Sequence, residues 1–216
     1  HFPEGSGGLD AGRGFQRLVH DAVVAVDAPQ PKYEIGYGMA APTIAEVGTD
    51  DQKTRWLRPL FTGEEVWCQL FSEPGAGSDV AGLSCRAVQD GDEWVVNGQK
   101  VWTSNAHMAR WGLLVTRTDP DAPKHRGMTY FGIDLHQPGV EIRPLRQMTG
   151  QAEFNEIYLT DAKVSEADRM GDVGDGWRVA LTTLMNERVA IGGDTRSSDK
   201  GTIDWVMEAW RDHGHD

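Results

Sequence analysis

Apolar positions along the chain change their period twice, and the changes divide it into three parts. The opening HFPEGSGGLDAG carries Pro3 and four glycines and reads as loop, after which apolar residues recur at helical spacing from Arg13 to about Val26. Pro29 and Pro31 end that helix, a second apolar stretch surrounds Met39 to Val47, and Thr49 or Asp50 can cap a third helix running to Phe61 before Gly63. From Val66 the period becomes two. Short segments rich in Val, Ile, Trp and Tyr predict strands at Val66–Phe71, Leu83–Val88, Trp94–Val96, Lys100–Thr103, Gly112–Arg117, Thr129–Asp134, Val140–Leu145 and Glu156–Leu159. Asp90-Gly91 and Asn97-Gly98 favour the positive φ of tight hairpins and are read as the turns joining successive strands.

Past Gly174 and Gly176 the helical period returns, with Trp177, Leu181, Leu184, Arg188 and Ile191 on one stripe. An arginine on a buried stripe is costly unless an anion meets it, so Arg188 stands out. A last helix spans about Ile203 to Trp210. The expected fold class is α+β: an antiparallel β-barrel flanked by helical segments, with divisions at 1–63, 64–170 and 171–216. The chain begins at His1 rather than a methionine and stops soon after a helical pattern has begun, as a fragment would.

Composition narrows the function classes. With 39% hydrophobic and 25% charged residues the chain has the makings of a packed core. Its formal net charge of -12 argues against a broad nucleic-acid surface, which needs clustered Lys and Arg. No run approaches the apolar length of a membrane span and no basic-then-apolar leader opens the chain, so the expected location is cytoplasmic. Cys68 and Cys85 lack CxxC spacing, which favours two buried thiols in a reducing compartment over a disulfide or a catalytic cysteine.

The segment VWCQLFSEPGAGSD is an apolar strand running into a glycine-rich turn. Gly75 and Gly77 let backbone N–H groups approach an anion without Cβ interference, and Ser72 and Ser78 add hydroxyl donors. By spacing alone, a plain strand-to-loop connection is the better account. Trp102, following an Asn-Gly pair, reads by itself as a core residue.

FSEPGAGSD resembles the signature of the acyl-CoA dehydrogenases, and GTDDQKTRWLRPLFTGE, NGQKVWTSNA, FNEIYLTDAKV and a Gly-x-Gly-Trp leading into LMNERVAIGG follow the family's order. The resemblance covers most of the chain, with the family's N-terminal helices incomplete and most of its C-terminal bundle absent. It implies an acyl-CoA dehydrogenase-like fold and FAD-dependent α,β-dehydrogenation of an acyl-CoA thioester to the 2-enoyl-CoA, with electrons passed to an electron-transfer flavoprotein. Flavin contacts carry over to Gln69, Phe71, Ser72, Gly77, Ser78, Trp102, Thr103 and Ser104, with the Trp102 indole on the isoalloxazine and a hydroxyl of the Trp-Thr-Ser run near N5. Substrate contacts carry over to Ser78, Asn186 and Arg188. Glu187 is the implied catalytic base, as in branches that place a glutamate immediately before this arginine, and it stands equally well as the partner of Arg188 in a structural ion pair. A homo-oligomer, dimer or tetramer, is also implied. An acyl-CoA oxidase or flavin monooxygenase of the same fold, and a non-catalytic truncated subunit, are the alternatives.

Other motifs weigh less. Gly36-Tyr37-Gly38-Met39-Ala40-Ala41 fits a dinucleotide fingerprint, but no adequate strand precedes it and Pro42 follows. His213 and His215 have no carboxylate-rich ligand set around them, and no metal is expected. Ser78-Asp79 lacks a nucleophile elbow. Lys124-His125-Arg126 reads as an exposed turn, with contact to the CoA phosphates as the sharper reading.

Overall fold

The computed structural model describes residues 2, 4–5, 8–12, 14–26, 33–192 and 202–213. Pro29 and Pro31, His215 and the side chains of His213 and Ile191 lie outside the described residues. Helix α1 spans Gly14–Ala25, a π-helical turn Gly36–Ala40 leads into α2 (Ala41–Val47), and α3 covers Asp50–Thr62. Thr49 caps α3 as expected: its hydroxyl accepts from the Gln52 amide while its own N–H donates to Gln52 Oε1, and Gly63 ends the helix at φ 75°. Gln52 also donates from Nε2 to the carbonyls of Ala167 and Arg169, both at 2.8 Å, fastening the helix to the far end of the β region.

Eight strands follow: β1 (Trp67–Leu70), β2 (Arg86–Asp90), β3 (Glu93–Ser104), β4 (Trp111–Arg117), β5 (Met128–Asp134), β6 (Val140–Leu145), β7 (Phe154–Ser165) and β8 (Arg169–Met170). They form one mixed sheet in the order β6-β7-β3-β2-β4-β5-β8, with β1 alongside β4. The antiparallel barrel expected from strand spacing is thus corrected in two respects. Both β1 and β2 run parallel to β4, and β6 and β8 do not pair with each other, so the sheet is open. Turn residues report strand ends but not which edge the chain returns to.

Burial explains why β4 and β5 read as continuous apolar runs. On one face, Trp111, Leu113, Val115 and Tyr130 pack with Ile44, Trp56, Leu57 and Leu60 of the helices and with Val179 and Ala180 of α4 (Gly176–Gly192). On the other, Leu114, Phe131 and Ile133 pack with Trp94, Val96, Ile157, Leu159 and Val164, so the β3–β7 ribbon folds back over its own sheet. Trp56 sits against Gly132, where a Cβ would lie 2.9 Å from the ring. The last helix, α5, spans Thr202–His213.

Two further expectations are corrected. Asp90-Gly91 does turn a hairpin, since Asp90 pairs with Glu93, but Asn97-Gly98 does not. It lies inside the continuous strand β3 opposite a bulge whose extra residue is on β7, at Thr160 and Asp161, where Asn97 donates from Nδ2 to Asp161 Oδ1 and accepts at Oδ1 from the Asp161 amide. Gly98 is required there by close approach, because a Cβ would stand 2.6 Å from Cα and Cβ of Cys85. The buried stripe of α4 is also rotated from the expected one: Gly176, Val179, Ala180 and Thr183 face inward, whereas Leu181 and Arg188 are exposed. Small residues let α4 lie close to the sheet, which the spacing of large side chains did not reveal.

Gly98→Ala should destabilise the protein by about 1–3 kcal/mol through overpacking against the Cys85 backbone. A urea unfolding midpoint unchanged from wild type would show that the bulge relaxes freely.

Candidate functional site: a cleft at the end of the first strand

Strand β1 delivers Gln69, Phe71 and Ser72 to the rim of the sheet, and a buried ion pair holds the chain there. Lys100 Nζ, fully buried, donates to Glu73 Oε1 at 2.8 Å and to the Phe71 carbonyl at 3.1 Å. Glu73 also accepts from the Ser84 amide and hydroxyl and from the Cys85 amide, so both carboxylate oxygens are satisfied. Burial pushes the Glu73 carboxyl up, but the Lys100 charge and hydrogen bond, with the Ser84 and Cys85 amides, outweigh it and hold the group below its ordinary value. One residue further, the Val101 amide donates to the Ser72 carbonyl at 2.9 Å, tying β1 to β3 just before Trp102.

A second register shift, between Lys100 and Thr103, turns Trp102 out of the sheet. Its φ of 61° is left-handed, a conformation disfavoured for a bulky side chain, and its indole is 62% exposed. Phe154 meets the indole edge-on at 6.2 Å. A large, strained, exposed aromatic beside a concavity is what a flat ligand needs and what core packing does not explain.

The concavity is a cleft of about 840 Å³. Its lining brings together Gln69, Phe71, Ser72, Trp102 and Ser104 from the strands, Met39 from the π turn and Glu187 from α4. Glu187 Oε2 is buried without a hydrogen-bond partner, which leaves an acceptor available to a ligand. The remaining expected residues fall elsewhere. Thr103 is buried beneath the surface, while Gly77 and Ser78 are exposed on the turn beyond the lining. Asn186 lines a separate cavity of about 350 Å³ with Glu46 and Arg178, donating to the Thr182 carbonyl.

His107 also lines the cleft and was not anticipated from the sequence. Asn155, fully buried, donates from Nδ2 to the carbonyls of Thr103 and Glu153, so its Oδ1 is the atom facing His107 Nδ1 at 3.3 Å. A neutral imidazole there must carry its proton on Nδ1, leaving Nε2 as an acceptor. The buried pair was legible in hindsight: period two from Trp94 and Val96 places Lys100 inward, and an inward lysine requires a counter-ion. Glu34, Ile35 and residues 151–153 carry no such signal, because the helical turn before Gly36 and the segment leading into β7 bring them to the cleft.

Cys68 and Cys85 are free and buried, and burial raises both thiols, Cys85 to about 11, which makes them poor nucleophiles. Lys124, His125 and Arg126 are exposed, with Lys124 paired to Asp79 at 2.9 Å. The glycines of Gly36–Ala41 serve packing: a Cβ on Gly38 would lie 2.5 Å from that of Ala190. Among the described residues, no helix is long and apolar enough to cross a membrane.

Residues 1–64 match the acyl-CoA dehydrogenase N-terminal domain and residues 68–162 the acyl-CoA dehydrogenase middle domain. The β region that presents this cleft to the flanking helices therefore corresponds to the middle domain of that family, and the helices before it to the N-terminal domain. The chain belongs to the acyl-CoA dehydrogenase family. It is 52% identical over 180 residues to acyl-CoA dehydrogenase FadE34 of Mycobacterium tuberculosis, covering 83% of this chain and 25% of that protein. Among solved structures, the Tcur3481-Tcur3483 steroid ACAD aligns with TM-score 0.80 at 32% identity, over 98% of this chain and 54% of that one. The ChsE4-ChsE5 complex of M. tuberculosis aligns with TM-score 0.75 at 36% identity, over 87% of this chain and 48% of that one. The chain spans between a quarter and about half the length of the curated relatives FadE34 and IpdE1.

Removing the Glu73 charge while keeping its shape isolates the buried pair. Glu73→Gln leaves the Lys100 ammonium buried without a counter-charge and should cost about 3–5 kcal/mol. Because the folded carboxyl titrates below its ordinary 4.5, its contribution is complete above that value and disappears as pH falls through the folded value. Stability of the wild type should accordingly drop more steeply below about pH 4.5 than that of Glu73→Gln, as thermal melts across pH will show.

Proposed function

We propose that the intact protein is an FAD-dependent acyl-CoA dehydrogenase whose reaction takes place in this cleft, with Glu187 as the base. The supporting observation is that an exposed, strained indole and a buried carboxylate oxygen without a hydrogen-bond partner line one cleft. The residues present suit a flavin: Trp102 offers a flat apolar face, Ser72 and Ser104 offer hydroxyls, and a cleft of about 840 Å³ lies within the ordinary range for cofactor pockets. When bound, FAD supplies the acceptor for the hydride that leaves the β-carbon.

The protein's own part is acid–base chemistry and positioning. Glu187 removes the α-proton of the thioester, so the substrate loses one proton and one hydride and gains a C=C bond. Partial burial beside apolar walls keeps water from competing for that proton. Gly77 and Ser78, exposed on the glycine-rich turn, remain available to the phosphates of a bound nucleotide, and Ser78, Asn186 and Arg188 to the substrate, once the rest of the protein encloses them. Transfer of electrons to an electron-transfer flavoprotein, and assembly as an oligomer, complete the proposal. Likeness to a steroid ACAD supports including steroid side-chain thioesters beside straight and branched acyl-CoA esters in a substrate panel.

In the full-length protein, Glu187→Gln should lower kcat by about 10²–10⁴-fold, the usual worth of a general base, with the visible flavin spectrum retained. Turnover at the wild-type rate would remove Glu187 from the mechanism. Trp102→Ala should release flavin on desalting, and tight stoichiometric retention would contradict the stacking role. Reduced protein that reoxidises rapidly in air would mark an oxidase instead, and absence of turnover with every ester, an artificial acceptor and bound flavin would favour a non-catalytic subunit.

A further inference from the structure

A chain of buried hydroxyls connects three elements packed behind the cleft. Tyr130 on β5, Thr183 on α4 and Thr43 on α2 are each fully buried. The Thr43 hydroxyl donates to the Met39 carbonyl at 2.7 Å, Thr43 and Thr183 lie 3.0 Å apart, and Tyr130 Oη lies 2.8 Å from Thr183 Oγ1. The Thr183 hydroxyl also approaches the Val179 carbonyl at 3.2 Å.

Proton accounting gives the chain a direction. Met39 and Val179 contribute carbonyls, which only accept, and three hydroxyl protons are to be placed. Thr43 donates to Met39, Thr183 donates to Thr43 or to Val179, and Tyr130 donates to Thr183. Thr183 is therefore donor and acceptor at once, and it is the junction of the network.

Each end of the network touches the cleft. Met39 lines it from the π turn, Phe71 lines it just past the end of β1, and the Phe71 ring meets Tyr130 edge-on at 5.8 Å. Thr183 and Glu187 are four residues apart in α4, one turn along the same helical face. Packing of small buried residues holds α4 near its middle but sets its rotation less sharply than a hydrogen bond does. Hydrogen bonds are directional, whereas the Val179 and Ala180 contacts are not.

We propose that Thr183, with Tyr130 and Thr43, is a positioning residue that sets the rotation of α4 and thereby aims the Glu187 carboxylate into the cleft. This rests on Glu187 being the base. A hydroxyl at position 183 joins the wall carrying Glu187 to the wall carrying Phe71, so both move as one body.

The test uses the full-length holoenzyme with the most rapidly turned-over ester of the panel, unlabelled and deuterated at the α-carbon. Thr183→Val keeps the shape and removes the junction; it should lower kcat about tenfold or more with KM within about twofold, and raise the α-deuterium isotope effect, as expected when a misplaced base slows proton removal. Thr183→Ser restores both hydrogen-bonding roles and should recover most of the rate. Faster amide exchange in α4 of Thr183→Val, with flavin retained, is the accompanying readout outside turnover. If Thr183→Val lowers kcat with an unchanged isotope effect, the loss is of folded protein and the positioning role is overturned. A wild-type rate in Thr183→Val, with Glu187→Gln inactive, overturns it too while leaving the base assignment standing; a fully active Glu187→Gln overturns both.

Discussion

The buried Glu73–Lys100 pair is the constraint on which the cleft depends. A lone ammonium in this interior would be prohibitive, so Lys100 enters the core only with Glu73 beside it, and Glu73 reaches Lys100 only if the chain leaves β1 along one path. That path brings Phe71, buried, and Ser72, half-buried, to the cleft at the sheet rim. Since Lys100 lies two residues before Trp102, the same pair anchors the strand at the point where its bulge begins. An apolar pair would pack as well without fixing direction or register, which is a reason for ions here.

Helices act on the cleft from the other side. The capped α3 holds the Trp56, Trp67 and Trp111 cluster against β4, and its Gln52 reaches the carbonyls near β8. This leaves the π turn and α4 to form the wall opposite the strands, with Gly38 permitting the close approach of Ala190. Rigid packing lies behind the rim, and the exposed groups, Trp102 and His107, stand in front of it. Strands and helices thus meet where their ends, rather than their centres, supply the chemistry.

Much of this was legible in the sequence where local physics decides it. The α3 cap, the Asp90-Gly91 hairpin and the strand over Val140–Leu145 follow from side chains acting on their own backbone. Asn97-Gly98 misled because a dipeptide that favours a tight turn can also sit within a continuous strand, here where the close approach of Cys85 leaves room only for glycine. Arg188 misled because large residues were used to place the stripe of α4, while Gly176, Ala180 and Thr183 are what the sheet accepts. Of the site, Gln69, Phe71, Ser72, Trp102, Ser104 and Glu187 were legible through the family resemblance and do line one cleft. His107 and Met39 were not, since their place depends on a loop and a π turn whose trajectories are set by tertiary contacts.

The left-handed backbone at Trp102 has a consequence for how this chain responds to selection. A non-glycine residue held there stores on the order of 1–3 kcal/mol that a glycine would release. Screens that reward heat resistance alone would therefore drift toward losing the indole, and under the proposed flavin role of Trp102 that change would trade ligand affinity for melting temperature at a single codon. Under that role, a tryptophan kept at 102 through such a screen would point to selection by the ligand rather than by the fold.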